Sequence, residues 1–150
     1  MINYVTGDIF DSDAEAIVNT VNTVGVMGKG IALQFKKAYP SNYKSYMVAC
    51  KNNEVVVGKM FVTRDSNMFI GEKLIINFPT KQHWKNPSEY IYIEEGLDGL
   101  LQVIEQYQIK SIALPALGVG NGGLKWEKVK DLIEAKLDNL DMEVFVYEPK

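Results

Sequence analysis

Short apolar runs alternate with helix-patterned segments along most of this 150-residue chain, and that alternation limits the folds open to it. Residues 2–6, 16–21, 59–63, 69–78, 111–114 and 143–147 carry strand character. Residues 29–39, 41–50 and 126–137 read as helices, and Tyr90, Ile93, Leu97, Leu100, Leu101 and Ile104 recur at helical spacing. Pro40 stops the first helix, and Ser41 suits the N-cap of the second. In Asn86-Pro87-Ser88-Glu89, Asn86 suits an N-cap, Pro87 the first helical position and Glu89 the third. A turn at residues 65–67 joins the third and fourth strands. Strand–helix alternation of this kind predicts an α/β fold, a three-layer α/β/α sandwich around a mixed, largely parallel sheet.

Composition narrows the class. A chain that is 47% hydrophobic at this length can bury a sizeable core, so residues 1–150 read as one domain. Lys, Asp or Asn interrupts every candidate membrane span, so no membrane partner is expected. The N-terminus has no basic segment and carries Asp8 early, unlike a signal peptide. Cys50 is the only cysteine, which rules out an intrachain disulfide and points to the cytoplasm. Its helical position suits a buried small hydrophobe. With one histidine and one cysteine, a His- or Cys-based metal cluster is not expected, and no cofactor is called for. The net charge of −3 argues against gripping long nucleic acid by bulk electrostatics. It leaves open the reading of one nucleotide in a pocket.

In a parallel sheet ligands bind beyond the carboxyl ends of the strands. Gly7-Asp8-Ile9 follows the first strand, and Asn22 through Gly30 follows the second. The segment Pro79-Thr80-Lys81-Gln82-His83-Trp84 follows the fourth, and Pro115 through Gly123 follows the fifth. Residues 118–123 fit GxGxxG between a strand and a helix, which suits phosphate binding by backbone N–H groups. A dinucleotide fold needs a ribose-binding acid about 20 residues further on, in a continuing set of βα units, and that pattern is not met here. Gly28-Lys29-Gly30 lacks the Ser or Thr of a Walker A loop. Asp8 suits either an adenine amino group or a local cap. Alternation places Asn19 and Asn22 on opposite faces of their strand, so at most one need face a ligand. Lys81 is either a solvated loop lysine or a partly desolvated nucleophile or acid. His83 is either a general acid or base or, the more common role, a residue that packs or hydrogen-bonds to hold that loop. Trp84 reads as core rather than as a stacking platform.

Together Gly7-Asp8-Ile9, Ala16 to Asn22, Gly28 to Ala32 and Ala113 to Gly123 resemble the macrodomains, a family of ADP-ribose-binding α/β/α modules. The match spans nearly the whole chain. Asn19 to Ala32, Asn77 to Lys81 with His83-Trp84, and Gly120 to Leu124 with Trp126 resemble the terminal ADP-ribose glycohydrolase branch. Within that branch they resemble the antitoxins that remove ADP-ribose from thymidine in single-stranded DNA. The resemblance implies a metal-independent mono-ADP-ribosyl hydrolase that uses a lysine at the distal ribose. Asp8 and Ile9 would hold adenine. Asn22 would contact and orient the distal ribose, Lys81 and Asn22 would be the catalytic residues, and Thr80 would bind ADP-ribose. Gly28, Lys29 and Gly30, with Gly118, Val119, Gly120, Asn121 and Gly122, would contact phosphates and ribose through backbone groups. The implied partners are the ADP-ribose moiety and ADP-ribosylated single-stranded DNA. A cognate ADP-ribosyltransferase toxin joins them if the chain is part of a longer antitoxin. The vertebrate member of the branch pairs this lysine with an aspartate at the position of Gly122, so that pair is absent here. The aspartate of other macrodomain hydrolases is absent too, since Gly30 leads into Ile31-Ala32. Alternatives are hydrolysis of ADP-ribosyl-glutamate on proteins or of small ADP-ribose derivatives, and a module that binds ADP-ribose without chemistry.

Overall fold

The computed structural model describes residues 1–149. Six strands form one sheet: β1 (Ile2–Val5), β2 (Ala16–Asn22), β3 (Phe61–Asn67), β4 (Gly71–Lys81), β5 (Ser111–Leu114) and β6 (Glu143–Tyr147). Their spatial order is β1-β6-β5-β2-β4-β3. All neighbours are parallel except β3, an antiparallel edge strand on β4. The helices are α1 (Gly30–Ala38), α2 (Pro40–Lys51), α3 (Tyr90–Gln106) and α4 (Trp126–Leu137). None among the described residues is long and apolar enough to cross a membrane.

Side-chain alternation sorts the core into two layers. Ala16, Val18, Leu74, Ile76 and Phe78 pack against Ile93, Leu97 and Leu100 of α3 and against Val129 and Ile133 of α4. On the other face Ile17 and Ile75 meet Phe35 of α1 and Tyr39, which follows it, while Val21 meets Tyr46 and Ala49 of α2. The central strands are covered on both sides, which is why β2 and β4 read as nearly continuous apolar runs. Full burial of each such side chain stabilises the fold by about 1.5–3 kcal/mol.

Several local expectations are corrected by tertiary contacts. The β3–β4 turn lies at residues 68–70, not at residues 65–67. Asn67 sets it, its Oδ1 accepting from the N–H groups of Phe69 (2.8 Å) and Ile70 (3.1 Å). Asp65 reaches instead to α2, where its carboxylate accepts from the Asn42 N–H at 2.9 Å. That long-range cap replaces the one expected from Ser41, which lies inside the helix. Helix α3 starts at Tyr90, and Asn86 does not cap it. The Asn86 N–H instead closes a turn on the His83 carbonyl at 3.0 Å, and the Ser88 N–H bonds the Gly122 carbonyl at 2.9 Å.

Strand β4 ends at Lys81, three residues past the apolar run that suggested its end at Phe78. Pro79 pairs with Val21, and there the ladder shifts: Asn22 pairs with Lys81, leaving Thr80 without an opposite residue. Proline has no N–H to donate, so inside a sheet it sits where the ladder is already broken. On the α2 side of the strands runs a row of asparagines. Asn77 accepts from the side-chain amides of Asn19 (3.3 Å) and Asn42 (3.1 Å), and donates to Asn42 Oδ1 (2.9 Å) and the Phe61 carbonyl (2.9 Å). Thr63 donates to Asn42 Oδ1 at 2.6 Å.

Helix α3 approaches β4 closely through Gly96, where an added Cβ would stand 2.3 Å from the buried Phe78 ring. Alanine is the better helix former by about 1 kcal/mol, but a methyl group here overpacks a filled core at a cost of about 1–3 kcal/mol. Gly96→Ala is therefore expected to lower stability in urea denaturation. A higher midpoint would show that α3 can move off the sheet freely.

Candidate functional site

A cleft of about 810 Å³ opens at the carboxyl ends of the parallel strands. That volume suits a nucleotide-sized ligand. Asp8, Ile9, Asn22, Gly28, Lys29, Gly30, Thr80 and Lys81 all line it. So does the second glycine loop, from Gly118 and Val119 through Gly120, Asn121 and Gly122. The four strand-end segments therefore converge on one site. The end of β6 and the residues after it add Tyr147, Glu148 and Pro149, which sequence reasoning missed. Their signal was available, since they close and follow a parallel strand as the other segments do.

Asp8 does cap a turn. Its Oδ1 accepts from the Phe10 N–H at 3.0 Å, at the start of the short helix Ile9–Asp11. One oxygen suffices for that, so the other is not committed to the cap. Ile9 is buried and fixes the turn against the α1 side of the core.

Asn22 is held from several directions. Its Oδ1 accepts from the N–H groups of Val24 (3.1 Å) and Val26 (3.3 Å) and from the Tyr46 hydroxyl (2.9 Å). Its Nδ2 donates to the Val26 carbonyl at 2.7 Å. An amide nitrogen carries two hydrogens, so one remains for a ligand. Asn19 lies fully buried behind it, bonded to Asn77 and near the Met27 sulfur. Both asparagines thus reach the layer formed by Met27, Asn42 and Tyr46, contrary to strict alternation. Asn22 is the last residue of β2, and its side chain turns onto the following loop at Val24 and Val26 and onto Tyr46.

The glycine loops touch each other. A Cβ on Gly30 would lie 3.3 Å from Asn121 Nδ2. The second loop closes on itself through Gly123 N–H to the Gly120 carbonyl and Leu124 N–H to the Gly118 carbonyl, each 3.0 Å. Gly118 has φ +72°, and a Cβ there would stand 2.8 Å from Leu124 Cδ1, so both torsion and space require glycine. The Gly120–Gly122 turn is too short to consume its own leading N–H groups, which leaves donors for an anion. At Gly122 a Cβ would lie 2.6 Å from Ser88 Oγ. Ser88 is buried, and its hydroxyl has no partner among the described residues.

Lys81 ends β4 half-buried, beside Asn22, and its Nζ donates to the Trp84 carbonyl at 3.3 Å. His83 holds the loop as expected, its Nδ1 accepting from the Lys85 N–H at 3.1 Å. Trp84 is not core: it is 44% exposed at the mouth of the cleft. Cys50 is buried beneath Gly25 of the first loop, as its helical position suggested, and burial pushes its thiol pKa up. Among the described residues no group of His, Cys, Asp or Glu is placed to hold a metal ion.

A three-layer α/β/α sandwich with an aspartate, two glycine loops and a lysine on one rim is the architecture of a macrodomain. The Macro domain family profile matches residues 18–133, and the chain belongs to that family. It is 51% identical to the DNA ADP-ribosyl glycohydrolase of Thermus aquaticus over 150 residues, which is 99% of this chain and 41% of that protein. The chain thus spans about two-fifths of that relative's length. Its structure matches the macrodomain of Mycobacterium tuberculosis DarG with a TM-score of 0.95 and 52% identity, over 100% of this chain and 99% of that one. It also matches Thermosipho africanus DarTG in complex with ADP-ribose, with a TM-score of 0.92 and 38% identity, over 99% of this chain and 41% of that one.

The bracing of the loops has two measurable outcomes. The single O–H of Tyr46 is shared between the carbonyl and the Oδ1 of Asn22 (2.7 and 2.9 Å), so Tyr46→Phe is expected to cost about 1–3 kcal/mol in denaturant titrations. Burial is the main force raising the Tyr46 pKa above its ordinary value of 10.0, because the folded state accepts only the neutral phenol. Its contribution is therefore whole below about pH 10 and lost as pH rises through 10 toward the raised folded value. The alkaline fall in melting temperature should be shallower in Tyr46→Phe. At the second loop, Gly122→Ala should destabilise by about 1–3 kcal/mol, and adding Ser88→Gly should recover part of that loss. Simple additivity of the two changes would show that Ser88 is not what excludes a side chain at Gly122.

Proposed function

We propose that this domain is a metal-independent mono-ADP-ribosyl hydrolase that releases ADP-ribose from modified thymidine in single-stranded DNA. The observation that carries this is the 51% identity to a DNA ADP-ribosyl glycohydrolase over 99% of the chain, with Asp8, Asn22, Lys81 and both glycine loops on one cleft. Asp8 and Ile9 receive the adenine at one end. The two glycine loops hold the diphosphate with backbone donors that are already oriented and need no reorganisation. At the other end lies the pair set by the strand register, Asn22 and Lys81.

The free amide N–H of Asn22 is the group available to the distal ribose, since its oxygen is already filled. Its bracing by Tyr46 and the loop fixes the direction of that donor. In the reaction the bond from the anomeric carbon to the thymine base breaks, and its electron pair leaves with the base. As an ammonium, Lys81 donates the proton that the departing base takes up, and a water that attacks the anomeric carbon gives its own proton back to the amine. As a neutral amine, Lys81 instead attacks the anomeric carbon, one of its N–H protons goes to the departing base, and water then displaces the lysine nitrogen. Water finally supplies the hydroxyl on the anomeric carbon. Gly122 offers no side chain, and Ser88 crowds the place where a Cβ would stand, so that loop gives Lys81 no carboxylate partner. This favours the DNA substrate over a glutamate ester. An ADP-ribosyltransferase acting on the same DNA is the implied source of substrate, and a toxin of that activity is the implied partner.

The test compares wild type with Lys81→Ala on an oligonucleotide carrying ADP-ribosylated thymidine. Turnover is expected to fall about 100-fold or more, while calorimetry shows ADP-ribose binding retained. Equal turnover by the variant would remove Lys81 from the chemistry. Tight ADP-ribose binding by wild type, with no turnover of any conjugate, would leave a binding module. Faster release from an ADP-ribosyl-glutamate peptide than from the oligonucleotide would reassign the substrate.

A further inference from the structure

The mouth of the cleft carries an arrangement that ADP-ribose chemistry does not require. Trp84 is 44% exposed there, an unusual position for the most area-rich apolar side chain. It is presented rather than loose. The His83 ring stacks on it with centroids 5.4 Å apart and planes inclined at 30°. Its carbonyl accepts from Lys81 Nζ, and the turn is closed by Asn86 N–H on the His83 carbonyl. The neighbouring loop is fastened to it, since Thr23 donates to the Gln82 carbonyl from both its N–H (3.1 Å) and its hydroxyl (2.7 Å). That loop adds a second exposed apolar side chain, Val26, on the same cleft.

The charge on the Trp84 side of this mouth is locally basic, although Asp8 and Glu148 line other parts of the same cleft. The chain has net charge −3, yet no acidic residue occurs between Glu15 and Glu54 or between Glu72 and Glu89. Those two stretches supply Asn22, Lys29, Lys81 and Trp84. Lys85 lies over the indole, its Nζ 5.2 Å from the ring centroid. An exposed, braced aromatic ring with a cation beside it is the means by which proteins hold single-stranded nucleic acid, with the base stacked and the phosphate paired.

We propose that Trp84 is a stacking platform for a nucleobase adjoining the modified thymidine, with Lys85 moving from the ring to that nucleotide's phosphate. This rests on DNA as the substrate and names the part of the site that distinguishes a strand from a lone modified nucleoside. Lys85 suits the second role because its ammonium is a point charge on a flexible stem.

The experiment measures kcat/KM on two substrates, ADP-ribosylated thymidine within a short oligonucleotide and the same adduct as a free nucleoside. Trp84→Ala should lower the oligonucleotide-to-nucleoside ratio by about 5- to 100-fold, the range of one base stack, and Trp84→Phe should restore most of it. An unchanged ratio, whether both rates fall together or neither falls, overturns the platform. If wild type turns over neither substrate, the hydrolase reading fails, and binding decides the platform separately. Unmodified oligothymidylate should then quench tryptophan fluorescence in a salt-dependent way in wild type. In Trp84→Phe, which keeps Trp126, that quenching should vanish. Equal quenching in both proteins, or none in either, rejects the platform.

Discussion

The geometry of the cleft depends on one interruption of the central ladder. Pro79 cannot donate a backbone hydrogen bond, and beside it one step along β2 is matched by two along β4. Thr80 is the extra residue. A continuous register would bring Thr80, not Lys81, opposite Asn22 and turn the lysine toward the other face. With the break, a lysine and an amide stand side by side where β2 and β4 end. The two strands themselves are buried on both faces, so the position of this pair is fixed by the best-packed part of the molecule.

A buried polar layer supports that end of the sheet. Asn19, Asn77 and Asn42 join β2, β4 and α2, and Thr63 adds β3. Tyr46 extends the same side of the fold to Asn22. Such networks are costly when left partly unpaired and stiff when filled. This one is nearly filled: Asn19 Oδ1 is its one atom without a partner among the described residues. The consequence is a rigid floor beneath glycine loops whose backbone donors are held in place. Preorganised donors of that kind act on developing charge without first having to move.

Much of this was legible in the chain. The strand–helix alternation gave the layers, because each apolar period reports which face is covered. The glycine loops, Asp8 and Lys81 were legible because each lies just past a strand end, where a parallel sheet takes its ligands. The errors share one cause. Asn86 looked like a cap, but its segment is drawn against the second glycine loop, where Ser88 bonds Gly122. Ser41 looked like a cap, but the carboxylate of Asp65, far along the chain on β3, does that work. Trp84 looked like core because large apolar side chains usually are. Each expectation rested on local preference, and each was overridden by a partner distant along the chain or by the packing of a whole loop.

By itself the sequence determined the layered α/β architecture, the rim on which a ligand sits and the residue types that meet it there. These arise from periodicities and from backbone freedom, which are local properties of the polypeptide. Only the tertiary structure decided which groups stand beside each other. It paired Asn22 with Lys81 through a register break, set Ser88 against Gly122, and left Trp84 facing solvent at the mouth with Lys85 over its ring. Those outcomes are settled by the competition of whole strands and loops for the same space, and no short stretch of sequence carries that information.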